Sequence, residues 1–216
     1  MTANLSLKMH SDQSTLSPTI FDAKAIRSDI RKKRNALSSE QQKQASLQLA
    51  SGIIHDQLFQ KANTIALYLS NDGEIDTTPT IKQAWKAKKG VALPVLHPFS
   101  KKHLLFLQYH QNSRLVANRF GIPEPESEVL NIVTLESLDI IYTPLVAFDK
   151  HGARIGMGGG FYDRTLAPLS AQNRRCRIIG LAHDCQQITT IDSQPWDMPM
   201  DEIFTPNQHI IITPRR

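Results

Sequence analysis

A chain of 216 residues with 40% hydrophobic and 21% charged side chains has a globular composition and is long enough to bury one sizeable core. No apolar run approaches the ~20 residues a membrane helix needs, and a formal net charge of +5 suits either nucleic acid or small polyanions as partners. Only Cys176 and Cys185 occur, without CxxC or metal-ligand spacing, which suits buried thiols in a reducing compartment.

Residues 1–21 are rich in Ser and Thr and lack the basic-then-apolar order of a secretion signal, so they read as a flexible N-terminal tail ahead of one domain over 22–216. The first predicted helix carries Lys24, Arg27, Arg31, Lys32, Lys33 and Arg34, while Ala23, Ile26, Ile30 and Leu37 mark an apolar face at helical spacing. So much charge reads as a solvated face or as a nucleic-acid contact. No helix-turn-helix, zinc-finger spacing or RNP-like strand accompanies it. Ser38-Ser39-Glu40-Gln41 supplies an N-cap and capping box for a second helix, with Ala45, Leu49, Ile53 and Leu58 turned inward.

Residues 64–69 predict a short strand. After the loop Asn71-Asp72-Gly73-Glu74-Ile75-Asp76-Thr77, Thr78-Pro79 reads as a cap followed by proline at the first helical position, opening a helix through Trp85 to about Lys88. Further strands are predicted at 91–95, 104–109, 138–142, 177–182 and 209–212. Between them, Phe120-Gly121-Ile122-Pro123-Glu124-Pro125 reads as a stiff extended segment. The alternation predicts an α/β fold: a single three-layer domain with a mostly parallel, open Rossmann-like sheet flanked by helices, and ligands at the carboxyl ends of its strands.

The densest signal lies at 152–164, Gly-Ala-Arg-Ile-Gly-Met-Gly-Gly-Gly-Phe-Tyr-Asp-Arg. It holds Gly152, Gly156, Gly158, Gly159 and Gly160, half of the chain's ten glycines. Glycine costs backbone entropy on folding, so clustering it serves positive φ or close approach of a ligand. A strand and turn precede this stretch and a short helix over 161–169 follows it, an order that aims backbone N–H groups at an anion. Arg154 and Arg164 would add charge-assisted hydrogen bonds. Neither common phosphate motif fits: Phe161 stands where the P-loop needs Lys, and also where the dinucleotide fingerprint needs its third glycine.

Arg154-Ile-Gly-x-Gly-Gly-Gly-Phe-Tyr-Asp-Arg164, preceded by Pro144-Leu-Val-Ala-Phe-Asp149, resembles the signature of the 5-formyltetrahydrofolate cyclo-ligase family, also called 5,10-methenyltetrahydrofolate synthetases. The resemblance implies an open α/β fold and an ATP- and Mg2+-dependent ligase that closes 5-formyltetrahydrofolate to 5,10-methenyltetrahydrofolate through a phosphorylated formyl group. It implies nucleotide contacts from Lys24, Arg27, Arg154, Gly156, Met157, Gly158, Gly159, Gly160, Phe161 and Tyr162. It implies folate contacts from Asn71, Glu74, Asp76, Phe120, Met157, Gly158 and Gly160, with Asp76 the main acid. Arg154 and Tyr162 take roles at the reacting groups, and Asp163 and Asp197 hold Mg2+. Two departures stand out. The family places a basic residue four before Arg27, where this chain has Ala23 and only Lys24 nearby; and some members carry bases where it has Met157 and Gly159.

The residues alone leave two other readings open: a sugar-phosphate or acyl-CoA-handling enzyme of similar fold, and a nucleic-acid binder using the basic helix. The cyclo-ligase reading expects a cytoplasmic monomer that takes folate and ATP, with neither nucleic acid nor membrane as a partner.

Overall fold

The structure is a computed structural model describing residues 22–126, 129–170 and 175–212; the tail expected over 1–21 lies outside the described residues. Each early helix starts where a side chain takes up orphan N–H groups. Asp22 accepts from Lys24 N and Ala25 N to open α1 (Ala23–Asn35). Ser38 and Gln41 form the expected reciprocal box, 3.3 and 2.8 Å, opening α2 (Ser39–His55). Asp56 is extended (ψ 139°), so it ends α2 and caps the separate α3 (Gln57–Lys61). Leu58, expected on α2, therefore sits on a new helix.

Next come β1 (Thr64–Ala66) and α4 (Thr78–Lys86). The cap expected at Thr78 is displaced by one residue: Thr77 is the N-cap, its hydroxyl is turned to the Tyr68 carbonyl, and Asp76 Oδ1 accepts from Thr78 N instead. The chain continues through β2 (Gly90–Leu96), β3 (Leu104–Gln108), β4 (Leu115–Ala117), β5 (Pro123–Pro125), β6 (Ile132–Val133) and β7 (Ile140–Pro144). It closes with β8 (Ala147–Phe148), β9 (Arg154–Ile155), α5 (Phe161–Leu166), β10 (Arg177–Leu181), β11 (Glu202–Phe204) and β12 (His209–Ile211).

Eight strands form one sheet in the order β12-β11-β10-β7-β1-β2-β3-β6. The five in the middle, β11 to β2, run parallel, and antiparallel strands flank them on both sides, so the sheet is mixed with a parallel centre. Both faces are covered, which explains why β7 and β10 read as unbroken apolar runs. Ile140, Tyr142, Ile179 and Leu181 join Leu49, Ile53, Phe59 and Ile81 from α2, α3 and α4 in one core. The alternate residues Ile141 and Ile178 join Leu166 of α5, Phe148, Met198 and Ile203 in another. Cys176 is buried and Cys185 half-buried, both as free thiols. No helix among the described residues is long and apolar enough to cross a membrane.

The topology also fixes where a ligand can enter. From β1 the chain steps to β2 on one side, while β7 lies on the other side and leads on to β10 and β11. The order thus reverses between β1 and β7, and the loops after their carboxyl ends splay apart to leave a crevice.

Candidate functional site

Two clefts open at that crevice, and the glycine-rich loop separates them. The loop is built from below by Asp149, which is buried and whose Oδ1 accepts from His151 N and Ala153 N while Oδ2 accepts from Ile191 N. This closes the turn between β8 and β9 and ties it to the segment leading to Asp197. Arg164 folds back from α5, and its Nη1 donates to the carbonyls of Gly159 (2.7 Å) and Gly160 (2.9 Å). Gly158 and Gly160 have φ of +96° and +63°, which a side chain rarely tolerates. Gly158 also meets the Arg27 guanidinium, 3.6 Å from where a Cβ would lie. These contacts hold the loop as a thin ridge.

On one side is a cavity of about 540 Å³ with an apolar floor that includes Leu93, Pro94, Leu104 and Leu145. Asn71 and Glu74 border it from the loop after β1, Phe120 from the β4–β5 ribbon, and Met157, Gly159, Gly160, Phe161 and Tyr162 from the ridge. Phe120 and Phe161 meet edge to face at 6.4 Å. A flat bicyclic ligand suits such walls. Burial pushes the Glu74 carboxyl up to about 7, against the opposing pull of its hydrogen bond from Asn71 N and the charge of Arg34. Burial, reinforced by the Glu74 charge, likewise raises the Tyr162 phenol, so it stays protonated and can donate.

On the other side is a cleft of about 690 Å³, charged where the first is apolar. Ala23 and Arg27 of α1, Gly158, Arg164, Asp192, Trp196 and Asp197 line it. Arg27 Nε donates to the Gly156 carbonyl at 2.8 Å, which fixes α1 against the ridge. Arg154, Gly156, Gly160 and Asp163 line both clefts. Arg154 is nearly buried there, bonded through Nη2 to Asp163 Oδ1 at 2.6 Å, with its cation 5.9 Å from the Tyr162 ring centre.

Most of the residues singled out from the sequence thus line one or both of these clefts. Gly159, Phe161 and Tyr162, expected on the nucleotide, and Met157, expected on both ligands, line only the apolar cavity; Gly158, also expected on both, lines only the charged cleft. Lys24 is exposed and lines neither cleft, because one step along a helix turns a side chain by about 100°. Ala23 is the α1 residue that faces the ridge alongside Arg27. Asp76 also lines neither cleft: it caps α4 and borders a separate hollow between α2 and α4. Glu74 of the same loop does line the apolar cavity, as do Asp72, Glu124 and Asp163. Asp201, four residues after Asp197, accepts from Ile178 N at 2.7 Å beside the start of β10. His151 and His183 line neither cleft.

Arg34 was hidden in the basic helix. It is fully buried and grips the Asp72 carbonyl through Nε and the Asp72 carboxylate through Nη2, while Arg31 takes the same carboxylate at 2.6 Å. The Arg31 hydrogen bond holds the Asp72 carboxyl below the usual carboxylate range. The clamp sets the loop from which Glu74 projects. The signal was present: Arg34 continues the i, i+4 stripe of Ile26 and Ile30, so it belongs to the inner face. Arg27 and Arg34 thus tie the inner side of the basic helix to the ridge and to the loop after β1, with Arg31 paired to Asp72 at the surface, while Arg27 still lines the charged cleft.

Known proteins resemble this chain in family model, sequence and fold. The model of the 5-formyltetrahydrofolate cyclo-ligase family matches residues 20–206. The 5-formyltetrahydrofolate cyclo-ligase of Escherichia coli (strain K12) is 48% identical over 179 residues, covering 83% of this chain and 97% of that protein. The Haemophilus influenzae protein of the same name is 47% identical over 179 residues, covering 83% and 95%. Among solved structures, the Aquifex aeolicus 5,10-methenyltetrahydrofolate synthetase superposes with a TM-score of 0.75 at 30% identity, over 90% of this chain and 94% of that one. Matched over most of its length by family model, sequence and fold, the chain belongs to the 5-formyltetrahydrofolate cyclo-ligase family.

Proposed function

We propose that this chain is a 5-formyltetrahydrofolate cyclo-ligase that holds the folate in the apolar cavity and ATP in the charged cleft, and moves the γ-phosphoryl group across the glycine ridge between them. The observation that carries the division is the shared wall: Arg154, Gly156, Gly160 and Asp163 border both spaces, so groups in the two clefts can meet only there. The formyl oxygen is a poor leaving group. Once it has taken the phosphoryl group and ADP has left, N10 of the same folate attacks the formyl carbon and loses its proton, and phosphate departs to leave the methenyl bridge. No protein nucleophile is required. The chain supplies alignment and charge neutralisation.

Arg154 suits the transferring phosphoryl group: it is always charged, it lines both clefts, and Nη1 is the guanidinium nitrogen that neither Asp163 nor the Met198 carbonyl engages. Arg27 and the ridge backbone suit the nucleotide phosphates. Glu74 and the protonated Tyr162 suit the polar edge of the pterin, Phe120 and Phe161 its flat face. Asp163 and Asp197 line the same cleft, and each keeps one carboxylate oxygen without a hydrogen bond among the described residues, since Asp163 accepts through Oδ1 and Asp197 through Oδ2. Two hard carboxylate oxygens fit Mg2+, which those residues would hold, leaving room for the waters it keeps. Bound there, the ion would neutralise phosphate charge.

The test is formation of the methenyl chromophore from 5-formyltetrahydrofolate with Mg2+ and ATP, followed by absorbance and by ADP release. The two should rise together, one ADP for each chromophore. ADP formed without chromophore, or neither product with authentic substrate, would contradict the proposal.

A further inference from the structure

Trp196 stands apart on the wall of the charged cleft. Its indole is 71% exposed, whereas Trp85 is half-buried, packs on Tyr109 and donates to the Tyr109 carbonyl at 3.0 Å. Neither an aromatic ring nor a cation packs on Trp196 among the described residues. Leaving so large an apolar surface in water is unfavourable unless a partner covers it. The turn that carries the indole is fixed from below. Asp197 N donates to the Gln194 carbonyl at 3.0 Å and Gln194 N to Asp197 Oδ2 at 2.9 Å, closing the turn that carries it, while Met198 is buried in the core next along the chain.

The chemistry around Trp196 is uneven. Arg27, Arg164, Asp163 and Asp197 suit phosphates and a cation, and no other aromatic side chain lines this cleft. A nucleoside triphosphate has the same unevenness, charged at one end and a flat aromatic base at the other. We infer that Trp196 is the platform on which the purine of the nucleotide stacks, an inference that rests on reading this cleft as the nucleotide site. Asp197 follows Trp196 directly, so one closed turn presents the base platform and a carboxylate for the metal at the phosphates. A π-stack reads a face rather than an edge, so it anchors the base with little selectivity among purines.

The test uses full-length protein and three ligands: ADP, adenosine and inorganic tripolyphosphate. In a Trp85→Phe variant Trp196 is the sole reporter, and its fluorescence should be quenched by ADP and adenosine but not by tripolyphosphate. By calorimetry, which needs no reporter, Trp196→Ala should weaken ADP about 5- to 150-fold, the range for loss of one base–aromatic stack, and leave tripolyphosphate binding unchanged. Trp196→Phe should recover most of the ADP affinity. Equal ADP affinity in Trp196→Ala and the parent would overturn the stacking while leaving the nucleotide site in place. An equal loss of ADP and tripolyphosphate would overturn it too, by showing that the residue acts through the turn. If the parent bound neither ADP nor tripolyphosphate, the reading of the cleft itself would fall.

Discussion

Burial pushes the Glu74 carboxyl up to about 7 and the His183 imidazole down to about 4, so the two groups make stability depend on pH with opposite signs. Between pH 4.5 and 7 the folded chain holds more proton on Glu74 than the unfolded chain does, and stability falls as pH rises. Between pH 4 and 6.5 the folded chain holds less on His183, and stability rises with pH. The two slopes offset each other where the windows overlap. Glu74→Gln removes one of them: its melting temperature should fall more steeply than the parent's on acidification from pH 7 to 5, by calorimetry across that range. An unchanged profile would mean that Glu74 titrates normally. The candidate metal residues also separate at this scale. Asp163→Asn leaves the nearly buried Arg154 without its anionic partner and should lower both activity and stability, the latter by about 1–3 kcal/mol. Asp197 is held in a surface turn, so Asp197→Asn should cost no more than about 0.5 kcal/mol while raising the Mg2+ needed for half-maximal rate more than about tenfold. Similar stability losses in the two variants would contradict these assignments.

At the scale of elements, α1 spans both sites. Arg27 touches the ridge at Gly156, and one and two turns further on Arg31 and Arg34 clamp the loop that presents Glu74. Arg27→Ala should therefore raise the KM for ATP by about tenfold and leave the KM for the folate near the parent value, in steady-state kinetics with each substrate varied in turn; a rise in both would mean that α1 shapes the whole crevice. The helix also shows what the sequence could tell. Its existence, its apolar face and the capping box after it were legible, because periodicity and caps are local. Which charge points where was not: Ala23 and Lys24 are neighbours in sequence but lie on different sides of the helix. The loop after β1 repeats the lesson. Asp72 and Gly73 both take positive φ, so the chain reverses there. Glu74 is thereby turned to the cavity and Asp76 to the start of α4, a choice that depends on the clamp from Arg34, some forty residues earlier in the chain. The strands β8, β9 and β11 are two or three residues long, too short for a pattern to declare itself.

For the whole molecule, the parallel centre of the sheet decides the function. Reversal of strand order between β1 and β7 opens the crevice, and the loops after those strands bring Asn71 and Glu74 to one side of it and start the path to the glycine ridge on the other. The ridge was legible as a special backbone element because its composition is extreme. That it is a partition, with an apolar cavity on one face and a charged cleft on the other, became visible only once both faces were folded around it. Transfer across that partition is the central claim, and an isotope follows it most directly. With 5-formyltetrahydrofolate carrying oxygen-18 in the formyl group, and Mg2+ and ATP, every inorganic phosphate released should contain the labelled oxygen by mass spectrometry. Unlabelled phosphate alongside methenyl product would contradict the account, because the formyl oxygen would then have left without meeting the γ-phosphoryl group.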